Sequence, residues 1–176
     1  MKNLVLSMRP WLDRLYLTSG IGGSLFLVMI LVLITMQMLA RWGGFIITGA
    51  PDYTGYAMAA ASFLALPYAL NKGAHIRVSL LLGALGRFRH YGEIWCFAVG
   101  SYLSVFFAYY AIKSTRESFI FNDISQGQDA SPIWIPQVAM CIGTVILAIA
   151  FIDHLLSLVF VGEHNIQEDA LDAHGE

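Results

Sequence analysis

Four long stretches of the chain contain mostly apolar side chains, and shorter polar segments separate them. These stretches cover residues 15–40, 53–70, 91–112 and 133–161. A helix that crosses the hydrocarbon core of a bilayer needs about 20 predominantly apolar residues, and each stretch is near or above that length. No segment alternates apolar and polar residues with the period of two that a half-buried strand shows. The pattern therefore predicts an all-α integral membrane protein with four transmembrane helices.

The first two stretches carry further information about their helices. Residues 15–40 contain no charge, are too long for the apolar region of a signal peptide and precede no convincing cleavage site. They are therefore predicted to remain as an uncleaved first span. The second stretch contains the small residues 57–61, which suit close approach of another helix. Pro67 is expected to bend or end this second helix.

Composition supports a membrane protein and argues against several kinds of chemistry. Hydrophobic residues make up 57% of the chain and charged residues 12%, whereas soluble domains carry about 25% charged residues. The net charge of −2 does not indicate a nucleic-acid partner. Cys96 and Cys141 lie singly, without the spacing of a zinc site or a dithiol motif. Their predicted depths differ by roughly 10 Å, too far for a disulfide, and no catalytic residue, metal site or cofactor is predicted.

The basic residues predict the orientation in the membrane. One predicted side holds seven of them: Lys2, Arg9, Arg14, Lys72, Arg77, Arg87 and Arg89. The opposite side holds three, together with four acidic residues: Arg41, Lys113, Arg116, Asp52, Glu117, Asp123 and Asp129. Because cytoplasmic loops are enriched in Lys and Arg, both termini are predicted to be cytoplasmic. Residues 1–14 then form a cytoplasmic N-terminus, 15–161 the four-helix membrane domain, and 162–176 an acidic cytoplasmic tail.

The segment between spans two and three, residues 79–93, is apolar at first and basic further along. This predicts a short amphipathic helix that lies in the membrane interface. The alternative is that the third span simply begins early. Either way, four basic side chains are predicted to anchor the topology through anionic lipid: Lys72, Arg77, Arg87 and Arg89.

Charge within the membrane usually marks function, and little of it is present. Asp153 and His154, toward the end of the fourth stretch, are the deep candidates. They could form a proton relay, or they could contact a neighbouring helix or reach the interface. A haem site needs paired histidines on facing helices, and only His154 lies in a predicted span. Without a Gly-rich phosphate loop either, elimination leaves an accessory membrane subunit that binds something larger.

Several short motifs occur in a fixed order. KGAHIRVSLLL covers residues 72–82, Arg41–Trp42 ends the first span, and Glu117–Ser118 precedes the prolines 132 and 136 that bracket Trp134. This ordered set, from residue 15 to about 161, resembles the small membrane subunit, of DctQ or SiaQ type, of tripartite ATP-independent periplasmic (TRAP) transporters. One departure is Asp52–Tyr53, where many relatives carry an acidic pair, so a role for a glutamate there is in doubt.

The resemblance implies a non-catalytic scaffold subunit in the bacterial inner membrane. It would pack against a large multi-span permease of DctM type, which carries organic acids coupled to sodium. A periplasmic substrate-binding protein of DctP type would deliver the substrate, and membrane lipids would surround the subunit. Two alternatives remain open at this point: a membrane anchor of an electron-transfer complex and a self-assembling channel.

Two groups of residues are predicted to make contacts with these partners. The subunit-contact candidates are His75, Trp134, Asp153 and His154. The candidates for docking the binding protein are Arg41, Lys113, Arg116 and Glu117. His75 could instead sense pH or bond within its turn, and Arg116 and Glu117 could instead pair locally with Asp52 or Asp123.

Overall fold

A computed structural model of the protein describes residues 2–72, 89–128 and 130–161. Within these ranges the chain forms four helices: α1 (Lys2–Trp42), α2 (Ala50–Asn71), α3 (Arg89–Ile120) and α4 (Trp134–Val161). The described residues contain no β-strand, only an isolated antiparallel bridge between Ile124 and Pro132. The prediction of an all-α fold is therefore confirmed.

Within the part of the chain that the structure describes, three helices are long and apolar enough to cross a membrane. Their qualifying segments are Arg9–Trp42, Tyr91–Ile120 and Trp134–Val159. The helix that corresponds to the predicted second span, α2, is not among them. Its first turns carry Asp52 and several hydroxyl side chains, and its middle is built from alanine rather than leucine. The predicted amphipathic helix falls mainly on residues 73–88, which lie outside the described residues, so a fourth span and this helix both remain predictions.

The helix boundaries differ from those predicted at three places. The helix α1 begins at Lys2 and so includes most of the segment 1–14. In α2, four residues follow Pro67, which therefore does not end the helix. The helix α3 continues to Ile120, beyond the end of the predicted span 91–112. Charged side chains lower the apolarity of this segment, yet no Gly or Pro interrupts it before the left-handed Asn122.

The helices pack so that α2 and α4 are central. The helix α1 packs on α2 and more lightly on α4, while α2 also packs on α4, and α3 packs mainly on α4. The core cluster joins Tyr16 of α1, Leu70 of α2 and Ala150 of α4. The two described loops, 43–49 and 121–133, lie at one end of the bundle, which we call the two-loop end. The opposite end holds Asn71 and the start of α3.

Small residues allow the backbones of neighbouring helices to approach closely. A methyl group added at Gly143 of α4 would lie 2.6 Å from the backbone carbonyl of Phe63 in α2. One added at Gly23 of α1 would lie 3.0 Å from the carbonyl oxygen of Ala61. The Ser19 hydroxyl of α1 donates a hydrogen bond of 2.6 Å to the Leu64 carbonyl in α2. These contacts fix α1, α2 and α4 as one packed unit, as the predicted small-residue surface of α2 suggested.

Candidate functional site

The widest candidate site is the outward surface of α1 and α3, which carries many large apolar side chains. On α1 these include Leu25, Leu27, Val28, Leu31 and Val32, all at least half exposed. On α3 they include Tyr102, Leu103, Phe106, Tyr109 and Tyr110. The exposed apolar patches of water-soluble monomers are far smaller than two helix faces. This surface therefore suits lipid chains or the apolar surface of another membrane subunit.

At the end opposite the two loops, polar side chains from three helices meet inside the bundle. The Tyr16 hydroxyl donates to the Asp153 carboxylate at 3.5 Å, and the Asn71 amide donates to the Asp13 carboxylate at 3.4 Å. Tyr16 is fully buried. Because polar groups in apolar surroundings are costly unless they are bonded, these contacts hold α1 against α2 and α4.

The two deep candidates from the sequence take different positions within this end. Asp153 is half-buried and faces α1 through Tyr16. His154 has an exposed fraction of 0%, and its ring centroid lies 5.9 Å from that of Phe97 in α3. Both residues thus contact neighbouring helices of the same chain. A proton relay through them, and a contact of either with another subunit, remain predictions.

At the two-loop end, the loop 121–133 is bonded to the start of α2. The Gln128 backbone N–H donates to the Asp52 carboxylate at 2.9 Å, and the Tyr56 hydroxyl donates to the Ser125 hydroxyl at 2.5 Å. Gly127 lies so close to the Asp52 carboxylate that a Cβ atom there would overlap with it. This contact was not predicted. Asp52 and Gly127 are both visible in the sequence, but nothing in their spacing indicates that they meet.

The docking candidates all lie near this same end. Arg41 is exposed and belongs to the last turn of α1, whereas the other three lie on the last turns of α3. Lys113 and Glu117 form an exposed ion pair of 3.9 Å, and Arg116 is exposed beside them. The structure thus pairs Glu117 with Lys113, while Asp52 accepts from the loop backbone. Docking of a binding protein here is not tested by these contacts.

The remaining candidates are placed only in part. Trp134 is the first residue of α4, and its ring meets Phe119 of α3 edge-on at 5.4 Å. Lys72 caps the end of α2, and Arg89 is the first residue of α3. The candidates His75, Arg77 and Arg87 lie outside the described residues.

Cys96 and Cys141 are both free thiols in the structure. Across residues 2–72, 89–128 and 130–161, no group of three or more His, Cys, Asp or Glu side chains could hold a metal ion.

A known protein family matches most of the chain. The model of the family "Tripartite ATP-independent periplasmic transporters, DctQ component" matches residues 30–161. The chain belongs to the DctQ family. The match runs from the middle of α1 to the last residue of α4, and it confirms the resemblance carried by Arg41–Trp42, Glu117–Ser118 and the motif around Trp134. Comparisons with curated proteins and with solved structures found no significant match.

Family membership identifies the protein as the small membrane subunit of a TRAP transporter. The DctQ family is a family of transporter subunits and not of enzymes, and its tripartite system also contains DctM and DctP components. The expectation of a non-enzymatic accessory membrane subunit therefore agrees with the family. The family match does not support the alternative of a membrane anchor in an electron-transfer complex.

Proposed function

We propose that this DctQ subunit is a scaffold of the bacterial inner membrane that packs against the DctM permease. In this proposal DctM moves organic acids together with sodium, and DctP delivers the substrate. The observation that carries the proposal is the family match, which covers most of the four helices. The broad apolar faces of α1 and α3 support it, because a scaffold that resists the motion of a carrier domain needs extensive contact with lipid.

We propose that α2 crosses the membrane as a fourth span although it is less apolar than its neighbours. Its 22 residues give a length of about 33 Å, enough for a hydrocarbon core of about 30 Å. Its first turns bond to the loop 121–133 through Asp52, and its last residue, Asn71, bonds to Asp13 near the other end of α1. A helix that is central in the bundle needs less apolar surface, because neighbouring helices cover much of it.

The proposed orientation keeps both termini in the cytoplasm, with the two-loop end facing the periplasm. The excess of Lys and Arg in the N-terminal segment and in the connection between α2 and α3 supports it. The interfacial helix in that connection, anchored by its basic side chains on anionic lipid, belongs to the same proposal. Residues 162–176 would then remain on the cytoplasmic side.

We further propose that the exposed charges of the two-loop end help DctP to dock. Arg116, Lys113 and Glu117 stand on the exposed end of α3. Charges at the rim of an interface mainly change the rate of association. In the assembled transporter, Arg116→Glu should slow DctP association while the thermal stability of the membrane complex stays constant. Unchanged association kinetics would contradict this docking role.

Co-purification tests the scaffold proposal as a whole. The chain is expressed together with the DctM and DctP proteins of its transporter, with an affinity tag on DctM only. We expect the chain to co-purify with DctM, and cells that lack the chain to lose uptake of the organic acid. The chain alone in liposomes should produce no solute or ion flux. Flux from the chain alone, or a failure to co-purify with the permease, would contradict the scaffold role.

A further inference from the structure

We propose that the two-loop end of α1 binds an anionic phospholipid, with the Arg41 guanidinium on the lipid phosphate. An open groove of about 200 Å³ lies there, lined by Ile34, Gln37, Met38, Arg41 and Trp42. Counted from Ile34, the other four residues lie three, four, seven and eight positions further along the chain. All five therefore share one face of α1. The inference requires that α1 spans a membrane, and it is independent of the transport role.

Two apolar residues of the groove lining, Ile34 and Met38, lie deeper along the helix axis than Arg41, and the polar Gln37 lies between them. Ile34 lies seven residues before Arg41, which is about 10 Å deeper along a helix. Arg41 directly follows the apolar stretch 15–40, so it stands at head-group depth when that stretch fills the hydrocarbon core. Acyl chains would therefore pack on Ile34 and Met38 while the phosphate reaches Arg41.

Charge in the groove favours an anionic ligand. Arg41 has no ion-pair partner among the residues that the structure describes, and no acidic side chain lines the groove. A guanidinium binds phosphate oxygens through two parallel hydrogen bonds. One turn deeper, the Gln37 amide donates to the Thr54 hydroxyl of α2 at 3.5 Å, so its nitrogen has a partner within the protein.

The surroundings of the groove favour lipid over a soluble protein. The Trp42 side chain is 81% exposed, and indoles at helix ends prefer the membrane–water interface. In the adjoining loop Ile46 is 91% exposed, and Phe45 is exposed beside it. These exposed apolar side chains form the tip of the loop beside the cationic groove. A membrane surface with anionic head groups would cover both. Among the docking candidates, Arg41 differs from Arg116, which lies beside the ion pair of Lys113 and Glu117 on α3.

Lipid retention measured by native mass spectrometry tests the assignment. The purified chain in detergent is incubated with phosphatidylglycerol, with phosphatidylcholine, or with soluble glycerol phosphate as the head-group probe. We expect preferential retention of phosphatidylglycerol, and Arg41→Gln should lower it roughly fivefold. The control Arg116→Gln removes an exposed arginine at the same end and should leave retention unchanged. Arg41→Lys keeps the charge but not the paired hydrogen bonds, and should give an intermediate value.

Three results would overturn the proposal. Equal retention by the original chain and Arg41→Gln would show that Arg41 does not hold the phosphate. Retention of glycerol phosphate as strong as that of the lipid would show a soluble-anion site. Loss of DctP association by Arg41→Gln with unchanged lipid retention would assign Arg41 to docking instead. Each variant is first compared by size-exclusion chromatography, so a folding defect is separated from a binding defect.

Discussion

The side chains that face outward from α1 and α3 are large, whereas those in the seam between α2 and α4 are small. Leu25 and Leu31 on α1 are 65% and 66% exposed, but Ala57, Ala61 and Ala148 are buried. A water-soluble protein shows the opposite order, because water drives its large apolar side chains inward. In lipid, a leucine gains little by leaving the surface, so close approach of the backbones decides which residues lie inside.

The largest expected effect compares one leucine inside the bundle with one leucine on its surface. Leu158 of α4 is 1% exposed, and Leu158→Ala should lower the free energy of unfolding by about 2 kcal/mol or more because a cavity remains. Leu31→Ala removes the same atoms from an outward face and should change it by less than about 0.5 kcal/mol. Thermal unfolding of both variants in detergent measures the difference. Equal losses would contradict the assignment of inside and outside.

Co-purification of the Leu31→Ala variant with DctM tests whether DctM or lipid covers the outward face of α1. If DctM covers this position, the variant should co-purify less efficiently with DctM although the free chain keeps its stability. If lipid covers it, both properties should stay unchanged.

A smaller effect is expected from adding one methyl group at each of two helical glycines. At Gly143 the new atom would lie 2.6 Å from the backbone of Phe63, so α2 and α4 must separate. At Gly55 of α2 nothing lies within 4 Å of the new atom. Gly143→Ala should therefore destabilise the protein by about 1–3 kcal/mol, while the matched Gly55→Ala should be neutral or slightly stabilising. The melting temperatures in detergent decide the comparison, and a Gly143→Ala chain as stable as Gly55→Ala would refute close packing at the seam.

The smallest effect concerns the two-loop end of the seam, where the loop 121–133 bonds to α2. Asp52→Ala removes the acceptor for the Gln128 N–H and a negative charge from the first turn of α2. We expect a loss of about 1–2 kcal/mol and faster proteolysis of the loop. Asp123→Ala, an exposed carboxylate in the same loop, is the matched control and should have little effect. Equal cleavage rates in the two variants would show that Asp52 does not hold the loop.

Much of the fold could be predicted because membrane helices are encoded by length and apolarity. The stretches 15–40 and 91–112 fall within long apolar helices of the structure, and 133–161 coincides with another except for its first residue. The continuation of α3 beyond residue 112 was not predicted because its last turns carry charged residues, and polar residues continue a helix as well as apolar ones do. Hydropathy could not reveal that Lys113, Arg116 and Glu117 are helical, since it measures transfer to lipid and not backbone conformation.

The candidate sites were predictable to a lesser degree. The motifs around Arg41, Glu117 and Trp134 identified the family, because they recur in order at a fixed spacing. The contact of Asp52 with Gln128 was not predicted, since it joins residues that are far apart in the chain. The partners of Asp153 and His154 were likewise unspecified, because periodicity indicates a helix face but not the helix opposite it.

The amino-acid sequence by itself determined that this is a helical membrane protein of the DctQ family, because apolar length and ordered motifs are local properties of the chain. The tertiary structure alone decided that α2 and α4 form the central seam and that Gly143 meets Phe63. It also decided that the Asp52 carboxylate of α2 accepts a hydrogen bond from the Gln128 backbone N–H. The seam and this contact both depend on how segments distant in sequence fit together. Neither is determined by the apolarity of any single segment.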